Sequence, residues 1–261
     1  SAVEAWGNGF WGLLKFGMQV CLTMVTGYVV ANAPLAKRAI QKLASLPNLD
    51  SPAQSIVLMS IFSMATAWIN WAFSLIASSV FAVFLIHRNQ KLDYRLLVAA
   101  AYLGLGCTWH AGLSASAPLL VNTPDNFLIQ SGILQNTISA SDTIFSPFNI
   151  VLLIVVIVVM TGLMAMMHPS EENAYRITPE LLSQLKLFET PKKADSTLPS
   201  AWLNWRAGFN LIAATGGLIW LLANIRRLGI ANAITLDNVN FFFLMLAVIL
   251  HWYPWRFLKA V

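Results

Sequence analysis

Long apolar runs separated by short polar stretches dominate the chain. A helix rising about 1.5 Å per residue needs roughly 20 apolar residues to cross the hydrocarbon layer. Runs of that kind occupy residues 10–31, 95–114, 144–167, 207–225 and 238–254. A sixth run, 53–86, is too long for one ordinary span and too short for two full crossings with a loop between them. It predicts a segment that folds back on itself near Asn70, with half-helices of roughly 24 Å each.

Composition strengthens this reading. Of 261 residues, 57% are hydrophobic and only 10% charged, and the mean hydropathy is +0.66, whereas a soluble domain carries roughly a quarter charged residues. The pattern is that of an all-α polytopic membrane protein and argues against cytosolic enzymes and nucleic-acid binding. The net charge of +5 is modest, and the basic residues fall between apolar runs. Cys21 and Cys107 both lie inside apolar stretches and suggest neither a disulfide framework nor a metal site.

The basic residues also set orientation. Lys37, Arg38 and Lys42 precede the 53–86 run, and Arg88, Lys91 and Arg95 follow it. Both its ends therefore face the cytoplasm, which requires an even number of crossings or a re-entrant hairpin. Residues 118–142 hold no Lys or Arg and are expected outside, whereas 168–206 hold Arg176, Lys186, Lys192, Lys193 and Arg206 and are expected inside. Arg226 and Arg227 are the exception to this alternation.

The organisation that follows has three parts. Residues 1–167 form a first membrane half: span 10–31, interfacial helix 34–46, re-entrant hairpin 53–86, broken helix 95–118 and span 144–167. Residues 168–206, with Pro169, Pro179, Pro191 and Pro199, form a cytoplasmic linker with a short helix from Pro179 to Glu189. Residues 207–261 open a second membrane half with spans 207–225 and 238–254. In 34–46, Lys37, Arg38, Gln41 and Lys42 alternate with Leu35, Ala39, Ile40 and Leu43, the pattern of a helix lying at the interface or of a basic loop helix. Trp6, Trp11, Trp202, Trp205, Trp252 and Trp255 flank spans, where they anchor at the interface. The first run lacks the basic flank and cleavage site of a secretory signal. Ser1 in place of a start methionine, and a new basic segment just before Val261, suggest a fragment of a longer protein.

Two places combine small polar residues with breaks in an apolar run. The first is Thr66-Ala-Trp-Ile-Asn-Trp-Ala-Phe-Ser74, with its tip at Asn70 and Trp71, where Asn70 either binds a ligand or caps a half-helix. The second runs from Gly104 to Pro118 and includes Trp109, His110, Gly112, Ser114 and Ser116. Gly112, Ser114, Ser116 and Pro118 make a poor continuous helix, because Gly frees the backbone and Pro removes an amide donor. An unwound segment there offers peptide N–H groups and hydroxyls without a charged side chain, a chemistry that suits a carboxylate. The alternative is a close helix–helix contact made by small residues. His110 is either a neutral hydrogen-bonded histidine or a proton carrier. Lys15, near the end of its span, can snorkel. No Asp or Glu lies inside an assigned span, which disfavours a carboxylate proton relay.

Enzyme motifs are unconvincing. Gly112-Leu-Ser114-Ala-Ser116 has no Gly at its last position and no strand-to-helix setting for a nucleophile elbow. There is no Walker A loop and no Cys or His pair at metal spacing, so neither a catalytic residue nor a bound cofactor is expected.

Several motifs in order carry a family resemblance. Trp6-Gly-x-Gly-Phe-Trp-x-Leu-Leu-x-Phe-Gly-Met-Gln19, Val25-Thr-Gly27, Ile69-Asn-Trp71, Asp93-Tyr-x-Leu-Leu97, Trp109-His-x-Gly-Leu-Ser-x-Ser-x-Pro118 and Asp142-Thr-x-Phe145 resemble the AtoE-type short-chain fatty acid transporters. The likeness extends to Asn240 and the Pro254 to Ala260 segment. It implies a bacterial inner-membrane symporter for monocarboxylates such as acetoacetate or butyrate, coupled to Na+ or H+. It also implies an inverted-repeat, elevator-like carrier within the ion-transporter superfamily, assembling as a homodimer. By that analogy the substrate site lies between hairpin tips and broken helices, which brings in Asn70, Trp71, Trp109, His110, Gly112, Ser114 and Ser116. Ala111 and Ala115 depart from the family pattern, where Gly is usual. Family members also begin earlier and continue beyond Val261, so half of the expected site lies outside this chain. The rival reading is a membrane structural or assembly subunit without transport activity of its own.

Overall fold

A computed structural model describes residues 2–170, 172–185 and 203–261. The expectations for Lys186, Lys192, Lys193, Pro191, Pro199 and Trp202 lie outside the described residues, as does the end of the linker helix, which is described over Pro179–Gln184. Every regular element among the described residues is helical. Among the described residues, six helices are long and apolar enough to cross a membrane, by length and composition. The chain is a polytopic α-helical membrane protein.

Helices α1 (Ala2–Gly12) and α2 (Leu14–Ala31) run almost continuously into the first predicted span. Helix α3 (Pro34–Ala44) follows, then α4 (Pro52–Ile69) and α5 (Trp71–Arg88). Next comes a broken segment: α6 (Tyr94–Leu103), a π-helical turn over Gly104–Thr108, a 3-10 turn over Trp109–Ala111, and α7 (Ser116–Asn122). Short α8 (Phe127–Gln130), apolar α9 (Pro147–Met166) and α10 (Pro179–Gln184) complete the first part. The second part holds α11 (Ala207–Leu228), α12 (Ile230–Ala233), α13 (Leu236–His251) and α14 (Pro254–Ala260). Proline at the first turn starts α3, α4, α9 and α14, where its missing N–H costs nothing.

The 53–86 run folds back at Asn70 as expected, but each arm is long and apolar enough to cross a membrane, where the run length predicted half-helices too short to do so. Helices α4 and α5 have 18 residues each, roughly 27 Å rather than 24 Å, and only Asn70 separates them. The amide of Asn89 donates to the Leu49 carbonyl at 3.0 Å, tying the two feet together. Between the arms, Thr66 Oγ1 donates to Ser74 Oγ at 2.9 Å and Ser74 Oγ to the Ser63 carbonyl at 2.8 Å. In lipid, helix association rests on close packing and such hydrogen bonds rather than on a hydrophobic drive. Ala67, Ala77, Ser60, Ser63 and Ser78 accordingly sit buried between neighbouring helices, beside Ile56, Met59 and Phe81.

Helix α2 packs along α5, α9 and α6 pack on α4, and α13 packs on the other side of α2. Two expectations are corrected. The last span ends at His251, leaving 16 residues, about 24 Å and short of a crossing, because Pro254 starts a new helix. Helix α3 does not present all its basic residues outward. Lys37, Ile40 and Ala44, spaced i, i+3 and i+7, are buried where α3 meets α5 and α13, while Leu35 is 56% exposed.

Candidate functional site

The hairpin tip is built by one residue. Asn70 takes extended backbone angles between two helices, and its Oδ1 accepts from the Phe73 peptide nitrogen at 2.9 Å. This caps α5, as an Asn at such a break is suited to do. The same contact fixes the amide orientation, since a flipped amide would point a donor at a donor. Its Nδ2 is left buried without a hydrogen-bond partner, and the side chain is wholly shielded. An unmet buried donor of this kind costs about 1–3 kcal/mol.

The broken segment meets that tip through its backbone. Leu113 N donates to the Trp68 carbonyl at 2.6 Å, and Trp71 N donates to Ser114 Oγ at 2.9 Å. Asn149 of α9 donates to the Ala111 carbonyl at 3.0 Å and so satisfies an acceptor freed by the break. Thr108 Oγ1 donates to the Met64 carbonyl at 2.9 Å. Among the described residues, the peptide N–H groups of Ser114, Ser116 and Ala117 carry no hydrogen bond to protein. The break also leaves the His110, Leu113 and Ser114 carbonyls without a protein partner among the described residues, so the junction holds unspent peptide groups of both kinds, with the N–H groups available to an acceptor or an anion.

Glycines make the approach close enough. A Cβ on Gly112 would overlap the Trp68 carbonyl, and one on Gly104 would overlap the Ser63 carbonyl. A Cβ on Gly27 of α2 would stand 2.6 Å from both Asn70 Oδ1 and Phe73 N. Gly112 thus permits contact with the tip, which is the small-residue packing alternative, while Ser114 and the break retain their donors.

The sequence candidates separate into two groups. Asn70, Gly112 and Ser114 are buried together at the junction, with half-buried Ser116 opening α7. Trp71, Trp109 and His110 form a row of rings beside it, with centroids 6.1 Å and then 3.8 Å apart. His110 is exposed and stacks on Trp109, and it carries no hydrogen bond among the described residues. His110 thus meets the rest of the protein through its ring contact with Trp109.

Sequence reasoning missed Trp68 and Gly27 as members of the site. Trp68 Nε1 is a second buried donor without a partner, and its carbonyl holds the break. The signal was present in Thr26-Gly27, a small pair within an apolar span. Also missed was a polar ladder between α2 and α13. Gln19 Nε2 donates to Asp237 Oδ1 at 2.7 Å, Thr23 Oγ1 to Asn240 Oδ1 at 2.7 Å, and Asn240 Nδ2 to the Gln19 carbonyl at 2.8 Å.

Comparison with known proteins decides the family. A family model described as "Short chain fatty acid transporter" matches residues 1–261. The chain belongs to the short chain fatty acid transporter family. A relative from Escherichia coli (strain K12), described as "Putative short-chain fatty acid transporter", is 34% identical over 261 residues, covering 100% of this chain and 57% of the relative. A second, from Haemophilus influenzae and described in the same words, is 33% identical over 263 residues, covering 99% of this chain and 58% of the relative. The chain thus spans less than three fifths of these transporter relatives. No solved structure matches it.

Proposed function

We propose that the intact protein is a secondary transporter that takes up short-chain monocarboxylates of the acetoacetate or butyrate type across the bacterial inner membrane, coupled to Na+ or H+. The observation that carries this reading is the buried, unpartnered Asn70 Nδ2 at the hairpin tip, a tip that is hydrogen-bonded to a helix break whose own peptide donors are in part unspent. In a chain of this family, such a donor-rich junction is the natural place for a substrate carboxylate. Asn70, Ser114 and Ser116 donate to the carboxylate, and the Trp71, Trp109 and His110 rings wall the junction. The hairpin is re-entrant and moves in an elevator-like manner within a homodimer. The chain acts as a carrier and not as an enzyme.

The test is uptake of labelled butyrate and acetoacetate by proteoliposomes bearing the intact protein, with pH and Na+ gradients imposed separately. Saturable uptake driven by one gradient establishes the carrier and names the coupling ion. No uptake above protein-free vesicles, from folded protein under either gradient, overturns the reading.

A further inference from the structure

An apolar cleft of about 370 Å³ opens beside the hairpin tip. Ile69 and Leu113 form its near wall, and Leu221 and Leu222 of α11 with Phe242 and Phe243 of α13 are among the residues that line it opposite. Ile69 adjoins Asn70 in the chain and Leu113 adjoins Ser114, so two residues of the cleft wall are chain neighbours of two polar members of the junction. Its polar lining residue, Asn238, is already engaged. The Asn238 Oδ1 accepts from Asn224 Nδ2 at 3.1 Å, and its Nδ2 donates to the Ala233 carbonyl at 2.8 Å. Apart from Asn238 the cleft is lined by apolar side chains, whereas the neighbouring junction offers donors. An amphiphilic anion matches both environments at once, with its head at the junction and hydrocarbon in the cleft.

We infer that this cleft receives the alkyl tail of the transported carboxylate and admits tails longer than that of butyrate. The inference rests on the transporter reading above and concerns which carboxylates that site takes. Size supports it. A methylene fills roughly the volume of one liquid water, about 30 Å³, so the three tail carbons of butyrate occupy about a quarter of the cleft. Each further methylene buried there tightens binding about fourfold until the cleft is full.

The experiment is binding of the series acetate, butyrate, hexanoate and octanoate to the purified intact protein by titration calorimetry. Two variants accompany the wild type, Leu222→Trp, which narrows the cleft, and Phe242→Ala, which widens it. Both residues are exposed, so neither change disturbs the folded core. The expected result is about a 16-fold gain from butyrate to hexanoate in the wild type, abolished in Leu222→Trp, whose melting temperature stays at the wild-type value. Phe242→Ala shifts the optimum to a longer tail. Affinity that is flat with chain length, or a gain that survives Leu222→Trp, overturns the cleft assignment and leaves the carrier reading intact. Phospholipid that co-purifies with the wild type, is lost from Leu222→Trp and accompanies a flat profile assigns the cleft to bilayer lipid and also overturns the inference. Absence of binding by every member of the series overturns both readings.

Discussion

The Ser114 hydroxyl oxygen accepts a hydrogen bond from the Trp71 peptide nitrogen at 2.9 Å, across 43 residues of sequence. The first turn of a helix leaves its N–H groups without partners, and α5 therefore has two of these met at the tip, one by Asn70 and one by a residue of the broken segment. Hairpin and break are joined at the hairpin tip. Ser114→Ala removes the acceptor and leaves Trp71 N–H unmet, with an expected cost of about 1–3 kcal/mol. Thermal unfolding in detergent and uptake normalised to membrane abundance should both fall, and unchanged values in both would refute the joint.

Asn70 has two roles that substitutions can separate. Asn70→Ser keeps an oxygen for the Phe73 N–H but deletes the unpartnered amide donor, whereas Asn70→Ala deletes both. Stability should drop by about 1 kcal/mol in the alanine variant and stay near wild type in the serine variant. Carboxylate uptake should fall at least tenfold in both. Full uptake by Asn70→Ser would reduce Asn70 to a cap.

Gly27 tests how closely α2 supports the tip. An added Cβ meets a carboxamide oxygen and a backbone nitrogen at the same 2.6 Å, so Gly27→Ala must displace the tip. Overpacking of this kind costs about 1–3 kcal/mol. Gly17, on the same helix with open space around it, is the control. Gly17→Ala should leave uptake and melting temperature unchanged while Gly27→Ala lowers both.

Lys37 predicts an alkaline dependence. Burial lowers its pKa from 10.5 to about 8. Below pH 8 the residue is charged in folded and unfolded chains alike, and the cost of burying the charge is fully present. As pH rises through 8 the folded protein releases the proton while the unfolded chain still holds it, so stability rises up to about pH 10, by at most roughly 3 kcal/mol. Chemical denaturation between pH 7 and 10 should show this slope in the wild type and lose it in Lys37→Met.

Asp93 ties the linker to the membrane part. Its Oδ1 accepts from Leu96 N at 2.9 Å and its Oδ2 from Tyr175 N at 2.7 Å. Burial alone would raise its pKa, but these two amides, with nearby Arg95, outweigh burial and hold the carboxyl below its ordinary value. The stabilisation is therefore complete above the unfolded pKa near 3.8 and is lost as pH falls through the lower folded value. Asp93→Ala should speed hydrogen exchange at Tyr175 and Leu96 at neutral pH, and an unchanged rate at Tyr175 would refute the tie.

Run length located the hairpin and its tip, because a 34-residue apolar stretch flanked by basic residues has few ways to sit in a bilayer. The Gly112 to Pro118 break was equally readable from residues that cannot continue a helix. Contacts between distant segments were not readable. Nothing local to Gly27 states that Asn70 lies against it, and Lys37 carries no mark of burial until α3 is seen between α5 and α13. Trp68 was hidden for a related reason, since its part in the junction is played by a backbone carbonyl, which every residue possesses.

The polar ladder between α2 and α13 sets a timetable for biogenesis. Thr23 and Asn240 are 217 residues apart, and a ribosome adding roughly 5–20 residues per second needs about 10–40 s to deliver the second after the first. During that interval Gln19 and Thr23 sit in an apolar helix whose partner does not yet exist. Thr23 can place its hydroxyl on the Gln19 carbonyl of its own helix at 3.0 Å meanwhile, whereas the Gln19 carboxamide waits for α13 to supply its Asp237 partner.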